Sequence, residues 1–272
     1  MVDPFDLSSV VSALVDTPFA NKLQHLHSVG STNVLALAAA QAGAPHGSVW
    51  VADEQTAGRG RSNHSWHSAS GDGLYVSVLL RPQMALTNAL WLSLATGLAA
   101  QSAIAAVSGL TPDIRWPNDL LIGSKKCGGI LVETSATASQ SEAPAMLRYA
   151  VVGVGVNLNH QSFPIELEAL ATSLQLETGR PWAREQILVK FLSELEKETA
   201  LLEAELRGTS AGTGLLDRFS AASIWVRGKP VRVDEAGGYT GVTDGLDARG
   251  FLRVIGDDDV LHIVLSGGVR AQ

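Results

Sequence analysis

The sequence predicts an α+β protein in two parts: strands and amphipathic helices over residues 1–222, then a small β-barrel over residues 223–272. Three observations carry this. Short β-rich runs, at 48–52 and 73–80, alternate with helical stretches through the first part. From Ile224 onward the texture changes to four or so short strands with Gly and Asp turns in about 48 residues. At 272 residues, 46% hydrophobic and 17% charged, the chain has an ordinary globular composition and length for one large domain plus a small one.

Taken in order, residues 1–24 leave room for one helix, around 7–15, stopped by Pro18. That is too little for a helix-turn-helix module, which needs at least two helices. The first six residues carry two acids and no basic cluster before an apolar run, so no signal peptide is expected. Residues 25–29 alternate as a short strand. Gly30-Ser31-Thr32-Asn33 then precedes a helix over 34–42, with Ser31 or Thr32 suited to the N-cap and Gly43 and Pro45 ending it. Capping accounts for these side chains, and so does a ligand; both readings stand at this point. Strands follow at 48–52 and 73–80.

No charged residue occurs between Arg81 and Asp113, and residues 89–107 are long enough to span a bilayer. Asn88, Ser93, Thr96 and Gln101 interrupt the run, and Leu90, Leu94, Leu98 and Ile104 recur at roughly helical spacing. A buried helix packed on a sheet is predicted, not a membrane span. Arg115-Trp116 reads as a strand end, Pro117-Asn118-Asp119 as a turn, and 120–122 with 130–133 as a hairpin turning at Gly123-Ser124. Residues 134–144 form a small-residue loop. The strand at 147–152 runs into Gly153-Val154-Gly155-Val156-Asn157. A long amphipathic helix over 184–206, a flexible break at 208–214 and a short helix at 215–222 close the first part. Strands at 225–233, 239–246, 251–255 and 261–265 make up the second.

The chemistry concentrates in Gln55-Thr56-Ala57-Gly58-Arg59-Gly60-Arg61. Glycines let the backbone approach a ligand, successive N–H groups cradle an anion, and arginine adds fixed-fork donors. Net charge is −7, so this local patch suits a small anionic ligand better than a nucleic-acid backbone. Trp66, in the polar stretch that follows, is either a stacking platform for a ring or a pin holding the loop to the core. The loop is expected to be disordered without ligand. His64 and His67 have metal-compatible spacing but no evident third ligand. Lys126, at the start of a strand with Gly128 and Gly129, is a solvated edge charge or a point charge aimed into a site. Cys127, the only cysteine, is expected to be a small buried residue in a protein of the reducing cytosol. Gly153 to Asn157 lacks the third glycine of a dinucleotide fingerprint. Glycines where a ligand crosses a strand fit it better.

Together these segments resemble the biotin protein ligase family. The matching pieces are GSTN at 30–33, QTAGRGR at 55–61, Trp66, WPND at 116–119, KKCGGILVE at 125–133 and GVGVNLN at 153–159, in the family's order. The C-terminal module is similar to the family's SH3-like end domain. The resemblance implies a mixed sheet with helices on one side, a fold shared with lipoate ligases and related to class II aminoacyl-tRNA synthetases. It implies two steps: biotin and Mg²⁺-ATP give biotinyl-5′-AMP and pyrophosphate, and biotin then passes to a lysine of a biotin carboxyl carrier protein. ATP, Mg²⁺ and biotin are thus co-substrates, with no permanently bound cofactor.

By that resemblance Ser31, Thr32, Asn33 and Gln55 hold the ureido ring, whose donors and acceptors match hydroxyl and amide side chains. Gly58, Arg59, Gly60 and Arg61 contact the carboxylate and phosphate region. Lys126 sits by the carboxylate and α-phosphate. Gly128, Gly129, Gly153 and Gly155 form the floor. Asn118 and Asn157 lie near the nucleotide, as does Asp119, the side chain suggested for Mg²⁺ or the incoming lysine. Trp66 covers the adenylate. The resemblance also implies a cytoplasmic enzyme and a possible homodimer, with no membrane or nucleic-acid partner and no transcriptional role. One departure is His64, where the family often has a basic residue. A lipoate or octanoate ligase on the same fold and a non-catalytic biotin or nucleotide binder are the rival readings. The polar Ser-Thr-Asn and Gln55 set opposes the first, and Lys126 with both arginines the second.

Overall fold

The structure is a computed structural model that describes residues 5–137, 144–235, 237–266 and 268–272. Seven strands form its main sheet: β1 (Leu23–Val29), β2 (Ser48–Gln55), β3 (Gly73–Leu80), β4 (Asp113–Arg115), β5 (Asp119–Ile122), β6 (Lys125–Ala136) and β7 (Leu147–Asn157). Their spatial order is β1-β2-β3-β7-β6-β5-β4. Only β1 and β2 pair in parallel, joined through helix α2 (Thr32–Gln41); every other ladder of this sheet is antiparallel. A parallel pair needs such a crossover, and its strand ends then point the same way.

Strand alternation gives the sheet two faces. Val49, Val51, Leu74, Val76, Val78, Val152, Val154 and Val156 belong to one buried cluster, with α3 (Ala89–Ser108) and α5 (Arg184–Leu206) packed over it. Trp50, Leu79, Tyr149 and Val151 belong to a second, which α2 covers through Ala36 and Ala40. Helices therefore lie on both faces, which corrects the expected one-sided arrangement. The cause is α2: small alanines let it lie close to the sheet on the face that α3 and α5 leave open.

Helix α3 is the apolar run considered as a membrane span. Long and apolar enough to cross one, it instead buries Leu92, Leu94, Leu98 and Ile104 in the core, where losing one leucine side chain would cost about 2–5 kcal/mol. Thr96 Oγ1 donates back to Leu92 O, and Gly109 at φ 76° caps the C-terminus. Helix α1 (Leu7–Ala13) is where the sequence places it, capped by Asp6. The short α4 (Leu174–Thr178) has no periodic signature of its own.

Beyond α6 (Leu215–Ala222), five strands form a second, antiparallel sheet: β8 (Arg227–Val233), β9 (Tyr239–Leu246), β10 (Leu252–Gly256), β11 (Leu261–Val264) and β12 (Val269–Ala271), in order β11-β10-β9-β8-β12. β12 was not anticipated, since three residues are too few to show alternation. Val231, Val233, Leu252 and Val254 join the main buried cluster, and Trp116 Nε1 donates to Gly250 O at 2.9 Å. The two sheets thus share packing. Of the expected loop at 134–144, residues up to Ala136 extend β6, and 138–143 lie outside the described residues.

Candidate active site

The parallel β1–β2 pair delivers two segments to the same edge of the sheet. One is Ser31-Thr32-Asn33, buried at the start of α2; the other is Gln55 and the loop behind it. Ser31 is the N-cap of α2 by backbone, yet its side chain makes no capping bond, so capping does not use up the hydroxyl. Thr32 N and Oγ1 both donate to Gln55 Oε1, at 2.9 and 3.1 Å, and Gln55 Nε2 donates to Ser68 Oγ at 3.0 Å. Asn33 Nδ2 reaches Glu133 Oε2 at 3.0 Å and Leu131 O at 3.3 Å. Ser77 Oγ lies 2.8 Å from Thr32 Oγ1 and 2.6 Å from Asn33 Oδ1 and donates to one of them.

Ser77, Ser68 and Glu133 were not singled out from the sequence. For Ser77 the signal was present: a lone serine in the apolar strand GLYVSVLL, on the same face as Gly73, Tyr75 and Leu79. Glu133 likewise shares the Gly129–Leu131 face of β6.

Strand alternation also makes the floor. Along β7, Tyr149 and Val151 support α2, and the same face continues as Gly153, under Asn33 in the first turn of that helix, and Gly155. A Cβ on Gly153 would lie 2.8 Å from Asn33 Cγ. One on Gly155 would lie 2.5 Å from Trp66 Cε2, and one on Gly129 3.1 Å from both Trp66 Cζ3 and Lys126 Cε. These three glycines lie beneath the polar set, Trp66 and Lys126. Gly128 does not join them: strand alternation turns it to the face opposite Gly129, where its Cβ position lies 3.0 Å from Leu120 Cδ1. Asn157 is also away from the cavity, buried and donating to Thr172 O at 3.0 Å. Gly58 serves the loop: a Cβ there would lie 2.5 Å from Trp66 O.

Three cations surround the floor, each met by the protein's own groups. Arg59 Nη2 pairs with Glu133 Oε1 at 3.1 Å. Arg61 Nη1 donates to Asn118 Oδ1 at 3.2 Å and Nη2 to Ser266 O at 2.6 Å, so the second sheet reaches the loop. Burial pushes the Arg61 guanidinium pKa down, against the opposing charges of Asp119 and Glu235. Lys126 Nζ is 2.5 Å from Asp119 Oδ1 and 5.3 Å from the centre of the Trp66 ring. Arg115 Nη2 takes the other Asp119 oxygen at 2.6 Å. Burial alone would raise the Asp119 pKa, but Lys126 and Arg115 outweigh it and hold the carboxyl below its ordinary range. Both Asp119 oxygens thus meet a cation of this chain, Lys126 on one side and Arg115 on the other. Burial pushes the Cys127 thiol up to about 12, which suits the expected inert core residue.

The loop behind Gln55 forms a lobe: Arg59 bridges to Ser65, Gly60 N donates to His64 O at 2.7 Å, and Trp66 N donates to Gly58 O at 2.9 Å. The Trp66 indole lies on Gly129 and Gly155, and its buried Nε1 has no hydrogen-bond partner among the described residues. Ser31, Thr32, Asn33, Gln55, Arg59, Gly60, Arg61, Trp66, Asn118, Lys126, Gly129, Gly153 and Gly155 line one cavity of about 50 Å³. That is room for one or two waters.

The sequence model of the biotin/lipoate A/B protein ligase family matches residues 26–157. The bifunctional ligase/repressor BirA of Bacillus spizizenii is 40% identical over 171 residues, covering 62% of this chain and 51% of that protein. The chain therefore spans about half the length of that relative. A biotin–[acetyl-CoA-carboxylase] ligase of Mycobacterium tuberculosis is 32% identical over 250 residues, 86% of each chain. Among solved structures, the biotin protein ligase from Aquifex aeolicus in complex with biotin and ATP superposes with a TM-score of 0.73 at 28% identity, covering 92% of this chain and 97% of that one.

Proposed function

We propose that this chain, which belongs to the biotin protein ligase family, activates biotin with ATP and transfers it to a lysine of a biotin carboxyl carrier protein. One observation carries the reading. An uncharged hydroxyl and amide set, Ser31 to Asn33 with Gln55, converges on a glycine floor beside Lys126, Arg59 and Arg61. A ureido ring needs donors and acceptors without charge at one end, and a carboxylate needs cations at the other.

In the first step a biotin carboxylate oxygen attacks the α-phosphorus of ATP. The bond to the bridging oxygen breaks, pyrophosphate leaves, and the mixed anhydride biotinyl-5′-AMP remains. Two anions must meet, and the three cations offset their repulsion and stabilise charge growing on the phosphate. Lys126 is the group placed to touch both, and Asp119 is its positioning residue. In the second step the acceptor amine attacks the biotinyl carbonyl, AMP departs with the bonding pair, and the amine loses a proton. Mg²⁺ enters with ATP and supplies further charge neutralisation.

The Trp66 indole occupies the floor over Gly129 and Gly155, so the ligand enters as the 55–68 lobe and Trp66 swing off it. Reclosure then shields the anhydride from water, with Trp66 over the adenylate. The contact of Arg61 with Ser266 supports a part for the C-terminal module, read as SH3-like over residues 223–272, in setting that closure. The lone buried cysteine suits a cytoplasmic enzyme. The family resemblance suggests a homodimer.

The test is biotin-dependent ATP–pyrophosphate exchange with Mg²⁺, with lipoate as control. Exchange with biotin and not lipoate is expected. Exchange with lipoate alone would move the chain to the lipoate-handling branch, and no exchange from folded protein would leave a binding module.

A further inference from the structure

We propose that His25, His27 and Asp53 form a binding site for one divalent transition-metal ion of the zinc class, away from the active-site cavity. His25 and His27 are two apart on β1, so both project from one face of the edge strand. The parallel register, Leu26 to Ala52 and Ser28 to Glu54, puts Asp53 of β2 beside them. His25 Nε2 is 2.8 Å from Asp53 Oδ1, His27 Nδ1 is 3.1 Å from Asp53 Oδ2, and the three ligand atoms lie within 4.8 Å of one another. Tetrahedral zinc, with bonds near 2.1 Å, holds its ligand atoms about 3.3 Å apart. The two imidazole–carboxylate contacts open by a few tenths of an ångström to reach that spacing, and the remaining separation, within 4.8 Å, closes by side-chain rotation.

The surroundings prepare two of the ligands. The His25 ring stacks on Phe5, centroids 4.5 Å apart, which fixes its plane. Arg184, at the start of α5 and almost fully buried, donates at 2.6 Å to Asp53 Oδ1, the oxygen that also meets His25, and so orients the carboxylate with Oδ2 toward His27. The His27 side chain is 94% exposed, which leaves the remaining coordination position to water. Two imidazoles and one carboxylate suit zinc, cobalt, nickel or copper, and not magnesium or calcium, which take oxygen ligands. The Arg184 charge opposes the ion, so the site is one of modest affinity. Its place gives it a consequence. β1 runs into Ser31 to Asn33 and β2 into Gln55, so a bound ion cross-links the two strands that carry the polar end of the cavity.

The experiment uses the untagged full chain, with Zn²⁺ titrated in competition with a chromophoric chelator and Co²⁺ followed by its visible absorption. One ion per chain is expected, with the intense bands of a low-symmetry, nitrogen- and oxygen-ligated Co²⁺ site. His27→Ala alters an exposed side chain, so folding is not at stake, and it is expected to weaken binding ~10–100-fold. The double variant His64→Ala, His67→Ala is expected to bind as the parent does. Three results would overturn the site: no stoichiometric binding, binding that His27→Ala leaves unchanged, or binding lost in the double variant instead. Any of them would reduce the cluster to a hydrogen-bonded His–Asp–Arg brace and leave the ligase reading untouched.

Discussion

Replacing Gly153 by alanine puts one methyl group where the floor meets the polar end of the cavity. The backbone there is extended, so alanine brings no strain of its own. The collision is with Asn33: the new Cβ would lie 2.8 Å from Cγ and 3.0 Å from Nδ2, and closer still to Oδ1. Carbon does not approach such atoms within about 3.4 Å in a packed interior, so the amide must retreat. It is held by Ser77 at 2.6 Å, Glu133 at 3.0 Å and Leu131 O at 3.3 Å, and retreat sacrifices at least two of those bonds. At about 0.5–1.5 kcal/mol net for each bond, with overpacking of about 1 kcal/mol or more, Gly153→Ala is expected to lose roughly 2–4 kcal/mol. For a chain of this size that lowers the melting temperature by roughly 5–15 °C. With its amide end disturbed, the KM for biotin is expected to rise ~10–100-fold at saturating ATP, measured by pyrophosphate exchange. The decisive form is a double-mutant cycle. Asn33→Ala removes the group that collides, so Gly153→Ala should cost much less in that background. Additive effects, or a single variant with parental melting and KM, would show that Asn33 does not stand over Gly153.

Lys126→Ala is expected to cut biotin adenylation ~10²–10³-fold while the protein stays folded, since one preorganised donor to the growing charge is lost; exchange at the parental rate would remove Lys126 from the chemistry. Asp119→Asn tests positioning and pH together. The folded-state pKa of Asp119 is lowered, so its contribution to stability is present above the unfolded carboxylate value of about 3.9 and is lost as pH falls through the lower folded value. The stability gap between parent and Asp119→Asn, followed by denaturant titration, should therefore narrow below pH ~4; a gap that widens on acidification would contradict the Lys126–Arg115 embrace. Trp66→Phe keeps a ring on the floor but removes one indole reporter, so the biotin-induced change in tryptophan emission should be abolished. An undiminished change would mean that Trp66 does not move when ligand enters.

Much of this was legible because it is periodic or punctuated. The strands at 48–52 and 73–80 announce themselves by β-branched runs, α3 and α5 by apolar spacing, and the second sheet by its turns. Site residues could be collected because glycine, arginine and lysine at strand ends are poor strand chemistry. What the sequence hid depends on facing and register. Gly128 and Gly129 look equivalent in a string, yet strand alternation turns Gly128 to Leu120 in the core and Gly129 to the cavity. Asn157 ends a glycine-bearing strand, and its amide is spent on Thr172 O. That Asp119 lies between two cations was hidden too, because Arg115, four residues earlier and across a tight turn, takes one oxygen while Lys126 takes the other. Ser77 stands out as a lone serine in an apolar strand, but its partners Thr32 and Asn33, and those of Glu133, are far away in sequence, and no local pattern reports them.

The pairing of the three cations also explains how a site built for anions is tolerated without them. Arg59 rests on Glu133, Lys126 on Asp119, and Arg61 on the uncharged acceptors Asn118 Oδ1 and Ser266 O. Two of three positive charges are thus met by carboxylates, and Arg61 bears the desolvation, which is why burial lowers its pKa. A carboxylate and a triphosphate arriving together bring more negative charge than Glu133 and Asp119 supply. Arg59, partly exposed and held by one salt bridge, is cheap to draw away from Glu133. Lys126 is not, because Asp119 is itself locked by Arg115. Under the proposed function, the ligand would recruit Arg59 by exchange and meet Lys126 already in place. On that division of roles, Glu133→Gln should shift the KM values and leave kcat nearly unchanged, whereas Asp119→Asn should lower kcat.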